Sequence, residues 1–147
     1  MFCALAEESI ASLRPLAGAM LNLTEDHLDR YPDMAAYAAA KARIFAGDGM
    51  QVLNREDAYS RAMAIAGRRV VTFGLDTAPG NDDFGLVKVR GDWWLARGTT
   101  PLLAVGEMRL EGLHNAANAL AARALARAAG VPCAAMLDTL RTFRGLP

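Results

Sequence analysis

"LAGAMLNLTEDHLDRYPDMAAYAAAKARIFAGDGMQVLN", residues 16–54, decides the fold. It begins with a continuous apolar run, Leu16–Leu23, that reads as a buried strand. Thr24, Glu25 and Asp26 make a polar turn, and Pro32 is expected to open a helix, where its fixed φ is tolerated. The helix runs to about Phe45 and stops near Gly47 and Gly49, and Met50–Asn54 is the next strand. Working outward, Glu56–Gly67 reads as a helix and Arg68–Leu75 as a strand. This strand–helix alternation predicts a parallel sheet with crossover helices.

The pattern then changes. Asp76–Asp83 is a loop by composition, and Phe84–Gly98 reads as a hairpin with its turn at Gly91-Asp92. Pro101–Leu110 adds further extended chain. His114–Gly130 is an alanine-rich helix ending at glycine, and Val131–Phe143 is a second helix that starts after Pro132. The expected class is α/β: a mostly parallel sheet flanked by helices, with a small antiparallel strand element from about Phe84 to Leu110.

A chain of 147 residues, 53% hydrophobic and 22% charged, suits one globular domain with a real core. Sixteen basic residues balance sixteen acidic ones, and no local basic run advertises nucleic acid. Cys3 and Cys133 lack metal-site spacing, which fits a reducing cytosol. The start has Glu7 and Glu8 and no basic n-region, so it does not read as a signal peptide. No apolar run approaches the ~20 residues that span a membrane.

Lys41 is the residue that needs explaining. Met34, Tyr37, Ala38, Ile44 and Phe45 form an amphipathic stripe, and Lys41 falls on it. A lysine there is either a snorkelling side chain at the core's edge or a functional amine whose pKa falls where water is scarce. His27 follows Glu25 and Asp26 just after a predicted strand, where ligands gather in open α/β sheets. It reads as a solvated turn or as a ligand for a divalent cation. Asn115, a candidate helix N-cap, and Asn118 share one helical face. Their amides suit a nucleobase edge, or are a cap and a surface side chain. Trp93 and Trp94 read as strand packing, and Arg90–Asp92 (RGD) as a hairpin turn. Neither G-x-x-x-x-G-K-[ST] nor G-x-G-x-x-G occurs, so the 147 residues contain no recognisable phosphate cradle.

Together, "LNLTEDHLDRY" (21–31), "AAYAAAKARIF" (35–45), "GLHNAANALAA" (112–122) and the terminal "FRGLP" resemble the central domain of the Mur ligases. "TEDHLDRY" and "GLP" are most similar to the D-glutamate-adding branch. The resemblance covers residues 12–147 as a partial central, ATP-binding domain and leaves 1–11 as an atypical N-terminal tail. It implies a cytoplasmic, monomeric enzyme of peptidoglycan synthesis that uses ATP and Mg2+. Such an enzyme joins D-glutamate to UDP-N-acetylmuramoyl-L-alanine through an acyl-phosphate. In that pattern His27 is a magnesium ligand. Lys41 becomes carbamylated and helps to place magnesium and the acyl-phosphate. Asn115 and Asn118 hold the adenine of ATP. The resemblance also implies a fragment, inactive alone, without the phosphate loop and the flanking N- and C-terminal domains. Two alternatives stand beside it. One is another Mur ligase or a folylpolyglutamate synthase-like member, against which "TEDHLDRY" and "FRGLP" argue. The other is a non-catalytic nucleotide-binding module, supported by the missing phosphate loop.

Overall fold

Successive residues of a strand point to opposite faces of its sheet, so a strand covered on both sides needs apolar residues at every position. Met50–Asn54 follows that pattern at three of its five positions: Met50 and Val52 enter one core cluster and Leu53 the other, while Gln51 is buried with its amide hydrogen-bonded. The structure, a computed structural model, describes residues 14–25 and 31–145. The expected tail at 1–11 and the candidate ligand His27 lie outside those residues.

Six strands stand in sequence order, β1 (Ala17–Met20), β2 (Met50–Asn54), β3 (Val70–Phe73), β4 (Phe84–Val89), β5 (Asp92–Arg97) and β6 (Thr100–Ala104). Pairing is parallel from β1 to β4 and antiparallel from β4 to β6. The α/β class expected from the alternation is therefore what forms, with the antiparallel element appended to one side. Helix α1 (Met34–Ala42) connects β1 to β2, and the short α2 (Ala58–Ala62) connects β2 to β3. Both belong to the side of the sheet where Met20, Leu23, Tyr37, Phe45, Leu53 and Met63 pack. Helix α3 (Leu113–Ala128) covers the opposite side, where Val52, Val71, Phe73, Phe84, Leu95 and Leu103 meet its alanines. Helix α4 (Cys133–Thr142) packs on α3.

Several element boundaries differ from the sequence reading, each for a local reason. Leu16–Leu23 is not wholly buried: β1 is only four residues long and stands at the edge of the described sheet, and Leu16 is 66% exposed. Pro32 precedes α1 rather than entering it, because Asp33 is the cap and accepts from the Ala36 N–H at 2.8 Å. The helix expected over Glu56–Gly67 is cut to Ala58–Ala62. Buried Gln51 explains its end: its Nε2 donates to the Met63 carbonyl and its Oε1 accepts from the Ile65 N–H, both at 2.8 Å. The hairpin turn sits at Arg90-Gly91, whose φ values of 51° and 100° suit a primed turn, and Asp92 already opens β5. The extended stretch after Pro101 ends at Ala104 and gives way to a 3-10 turn, Val105–Glu107. Trp93 is 49% exposed, its ring 5.6 Å from Lys88 Nζ across the hairpin, whereas Trp94 is half-buried. Asn115 is not the N-cap; that position belongs to Gly112.

A side-chain clamp ties the exit of β1 to the β2–α2 turn. The hydroxyl of Ser60, which is wholly buried, donates to the Met20 carbonyl and accepts from the Asn54 N–H, both at 2.9 Å. Asn54 Nδ2 donates to the Leu21 carbonyl at 2.7 Å. Asp57 caps α2 by accepting from the Ser60 N–H at 2.6 Å, and its other oxygen accepts from the Leu23 N–H at 3.2 Å. The chain leaving β1 is thus held up to Leu23, immediately before Thr24 and Glu25.

Arg123 is the exception on the buried face of α3. It falls between Ala119, Leu120 and Ala124, is 7% exposed, and its Nε and Nη1 have no hydrogen-bond partner. A buried donor without an acceptor costs about 1–3 kcal/mol. Arg123→Leu is therefore expected to raise the melting temperature of the chain; an unchanged or lower value would show that the guanidinium is satisfied in solution. Asp57→Asn tests the clamp, since a carboxylate can accept at both oxygens and an amide at one. Hydrogen exchange should speed up at the Leu23 or the Ser60 amide, with a loss of about 1 kcal/mol in stability. Unchanged exchange at both amides would mean that the bonds do not form.

Candidate functional site

Parallel strands direct ligand chemistry to the region beyond their carboxyl ends, where the chain turns into the next helix. At the end of β1 the clamp fixes the approach to Thr24 and Glu25, both exposed. Lys41 stands in the last turn of α1 and is half-buried. Its Nζ lies 5.2 Å from the centre of the Tyr37 ring. Tyr37 is buried and in turn stacks obliquely on Tyr31, ring centres 5.1 Å apart. The expected inward stripe therefore includes Lys41 in part: it is half-buried, with its amine against the face of the buried Tyr37. His27, its expected neighbour, lies outside the described residues. Among the described residues no group of three His, Cys, Asp or Glu side chains is placed to hold a metal ion.

The second part of the site lies on the other side of the sheet, where α3 and α4 enclose a cavity of about 340 Å³. Asn115, Asn118, Ala119 and Ala122 of α3 line it, together with Met136 of α4 and Phe143 just beyond that helix. The volume is at the low end for small-molecule pockets, and the lining is the usual mixture of apolar walls and a few polar groups. Helix α4 is held in place against this cavity by Arg141, whose Nε donates to Glu107 at 3.1 Å, and by the Arg109 N–H, which donates to the Leu140 carbonyl at 3.2 Å. Asn115 occupies the third position of α3, and its Nδ2 donates to the Glu111 carbonyl at 2.6 Å. An aromatic base would find apolar surfaces for its faces and amides for its edge here.

The structure thus brings Asn115 and Asn118 to one cavity and places Lys41 on the opposite face of the sheet. The sequence reading passed over the β2–α2 turn. Its signal was present as Asn54, Asp57 and Ser60, with Asp57 and Ser60 at the spacing of a helix cap. Arg55, also in that turn, spans three partners: Asp76 at 2.5 Å, the Thr72 hydroxyl at 2.9 Å and the Phe84 carbonyl at 2.9 Å. It joins the ends of the parallel half to the start of the hairpin. No helix among the described residues is long and apolar enough to cross a membrane.

Comparisons with known proteins agree with this fold. The family model for the Mur ligase middle domain matches residues 3–126. The chain is 56% identical over 140 residues to the UDP-N-acetylmuramoylalanine--D-glutamate ligase of Thiobacillus denitrificans, covering 95% of the chain and 29% of that protein. It is 54% identical over 142 residues to the ligase of the same name from Nitrosospira multiformis, covering 95% of the chain and 30% of that protein. The chain therefore spans about three-tenths of the length of the curated relatives it matches. In fold it is similar to the pseudomurein peptide ligase type C of Methanothermus fervidus, with a TM-score of 0.74 at 17% identity over 95% of this chain and 36% of that one. It is likewise similar to the UDP-N-acetylmuramate:L-alanyl-gamma-D-glutamyl-meso-diaminopimelate ligase of Neisseria meningitides, with a TM-score of 0.69 at 22% identity over 90% of this chain and 41% of that one. The family model, matched over most of the chain, and the identity to these relatives lead to one conclusion: this chain belongs to the Mur ligase family and carries its middle domain.

Proposed function

We propose that this domain is the nucleotide-handling part of a cytoplasmic, monomeric ligase that joins D-glutamate to UDP-N-acetylmuramoyl-L-alanine in peptidoglycan synthesis. The observation that carries the reading is the 56% identity, over nearly the whole chain, to a relative named for that reaction. In such a ligase ATP activates the substrate carboxylate as an acyl-phosphate. The amine of D-glutamate then attacks the carbonyl carbon, loses a proton and expels inorganic phosphate, leaving an amide.

The residues of this chain have separate parts in that reading. Asn115 and Asn118 take the edge of the adenine, and the apolar walls of α3 and α4 cover its faces. That fit rests on the cavity itself, which two amides and mostly apolar side chains line. Lys41, deprotonated, adds to CO₂ with loss of a proton. The carbamate anion that results suits a half-buried position near a cation better than an ammonium does. Magnesium, when bound, neutralises charge on the phosphates. By family resemblance the residues of this chain that would hold it are His27 and a carbamylated Lys41. The clamp of Asn54, Asp57 and Ser60 holds the chain beyond β1 as far as Leu23.

A chimaera tests the reading: the aligned segment of the Thiobacillus denitrificans ligase is replaced by this chain. Phosphate release dependent on both UDP-N-acetylmuramoyl-L-alanine and D-glutamate, with product of the correct mass, is expected. A folded chimaera without turnover overturns the proposal. Lys41→Ala in the chimaera should lower turnover by on the order of a hundredfold or more, as loss of one electrostatic group does, with partial recovery on adding a small carboxylate anion. Turnover that stays at the parent level would refute the role of Lys41. The 147 residues by themselves, which contain no phosphate loop motif, are expected to make no amide product in the same assay. Sustained product above a no-enzyme control would contradict that.

A further inference from the structure

The amide of Asn115 is oriented by a bond to the backbone. Its Nδ2 lies 2.6 Å from the Glu111 carbonyl oxygen. A carbonyl oxygen only accepts, so turning the amide over would set Oδ1 against another oxygen and leave both without a proton between them. The orientation follows from this chemistry: Nδ2 faces the backbone, which leaves Oδ1 to act as an acceptor.

Gly112 is what aims that carbonyl. It is the N-cap of α3, with φ 99° and ψ 152°, a conformation that L side chains rarely adopt. A Cβ there would also lie 3.1 Å from His114 Cε1 and 3.2 Å from His114 Nδ1. With the backbone turned this way, the Gly112 carbonyl accepts from the Asn115 and Ala116 N–H groups, both at 3.1 Å. The Glu111 carbonyl is left for the side chain of Asn115. Asn118, one turn on, lines the same cavity.

We infer that the Glu111 carbonyl, aimed by Gly112, locks the Asn115 amide so that the site selects a purine bearing an amine at C6 over one bearing a carbonyl there. The inference rests on the adenine reading of the cavity and deepens it by naming the group that chooses the base. Gly112 is a positioning residue: it touches no ligand and acts through Glu111 and Asn115. An amine at C6 donates to Oδ1. A purine with hydrogen at C6 offers that oxygen nothing. A carbonyl at C6 opposes it, oxygen to oxygen. Were the amide able to turn over, it could donate to the carbonyl instead and the preference would vanish.

The experiment uses the chimaeric ligase and three nucleoside triphosphates: ATP, the unsubstituted purine riboside triphosphate and ITP. Calorimetry should rank their affinities in that order, with ATP roughly 5- to 150-fold tighter than ITP, the discrimination expected of one well-made amide–base pair. ITP binding as tightly as the unsubstituted purine, or more tightly, overturns the lock without need of any variant. Gly112→Ala should bring the ATP and ITP affinities together, raising KM for ATP while kcat at saturation holds. A folded Gly112→Ala chimaera that keeps the parent ratio also overturns the lock. Asn115→Ala separates this from the reading beneath it. Weakened ATP binding with loss of the ranking supports both, whereas ATP affinity equal to the parent's means that the cavity does not hold the base at all.

Discussion

The hydroxyl of Ser60 is the point on which the parallel half turns. Where a parallel strand ends, its backbone groups leave the ladder and must find other partners or water. Ser60 is buried and serves two strands together, giving its proton to Met20 at the end of β1 and taking one from Asn54 at the end of β2. Asn54 and Asp57 extend the same service to Leu21 and Leu23. A short strand such as β1, paired on one side only in the described sheet, has little ladder of its own to keep its exit in place. The side chains of the neighbouring turn supply what the ladder does not, and the approach to the candidate site inherits its position from them.

The sheet also divides the chemistry. Lys41 belongs to the layer built on Tyr37 and Leu53, and Asn115 and Asn118 belong to the layer built on Val52 and Val71. A close-packed sheet of Val, Leu and Phe has no passage through it. A single ligand that meets both sets of residues has to bend round the strand ends, and its length is then a requirement of the architecture. A nucleotide has its base at one end and its phosphates at the other, which suits that division of labour.

Periodicity made the large features legible. Continuous apolar strands alternating with helices pointed to the parallel half, and the Gly91-Asp92 pair pointed to the hairpin, whose turn lies one residue earlier, at Arg90-Gly91. The boundaries were less legible because single side chains decide them. Gln51 reaches from the middle of a strand to end a helix a dozen residues on, a long-range event that no local propensity encodes. Asp33 rather than Pro32 begins α1 because an accepting oxygen at the cap outweighs a preset φ. Of the site, the shared face of Asn115 and Asn118 followed from helical spacing, but the bond from Asn115 to Glu111 did not. It depends on Gly112 taking the cap position that Asn115 was expected to fill.

The antiparallel meander has a consequence for how the chain comes to be folded. Strands β4, β5 and β6 are joined by two-residue turns, so their contacts close short loops. The parallel strands must close a crossover before any pairing rewards it, and β3 meets β4 at one register pair only, Phe73 with Phe84. During synthesis the slow half leaves the ribosome before the fast half. The apolar side of β1–β3 therefore stays uncovered until α3, later still in the chain, arrives to cover it. The rapid zipper at the centre of the sequence gives that waiting half an ordered edge to lean on.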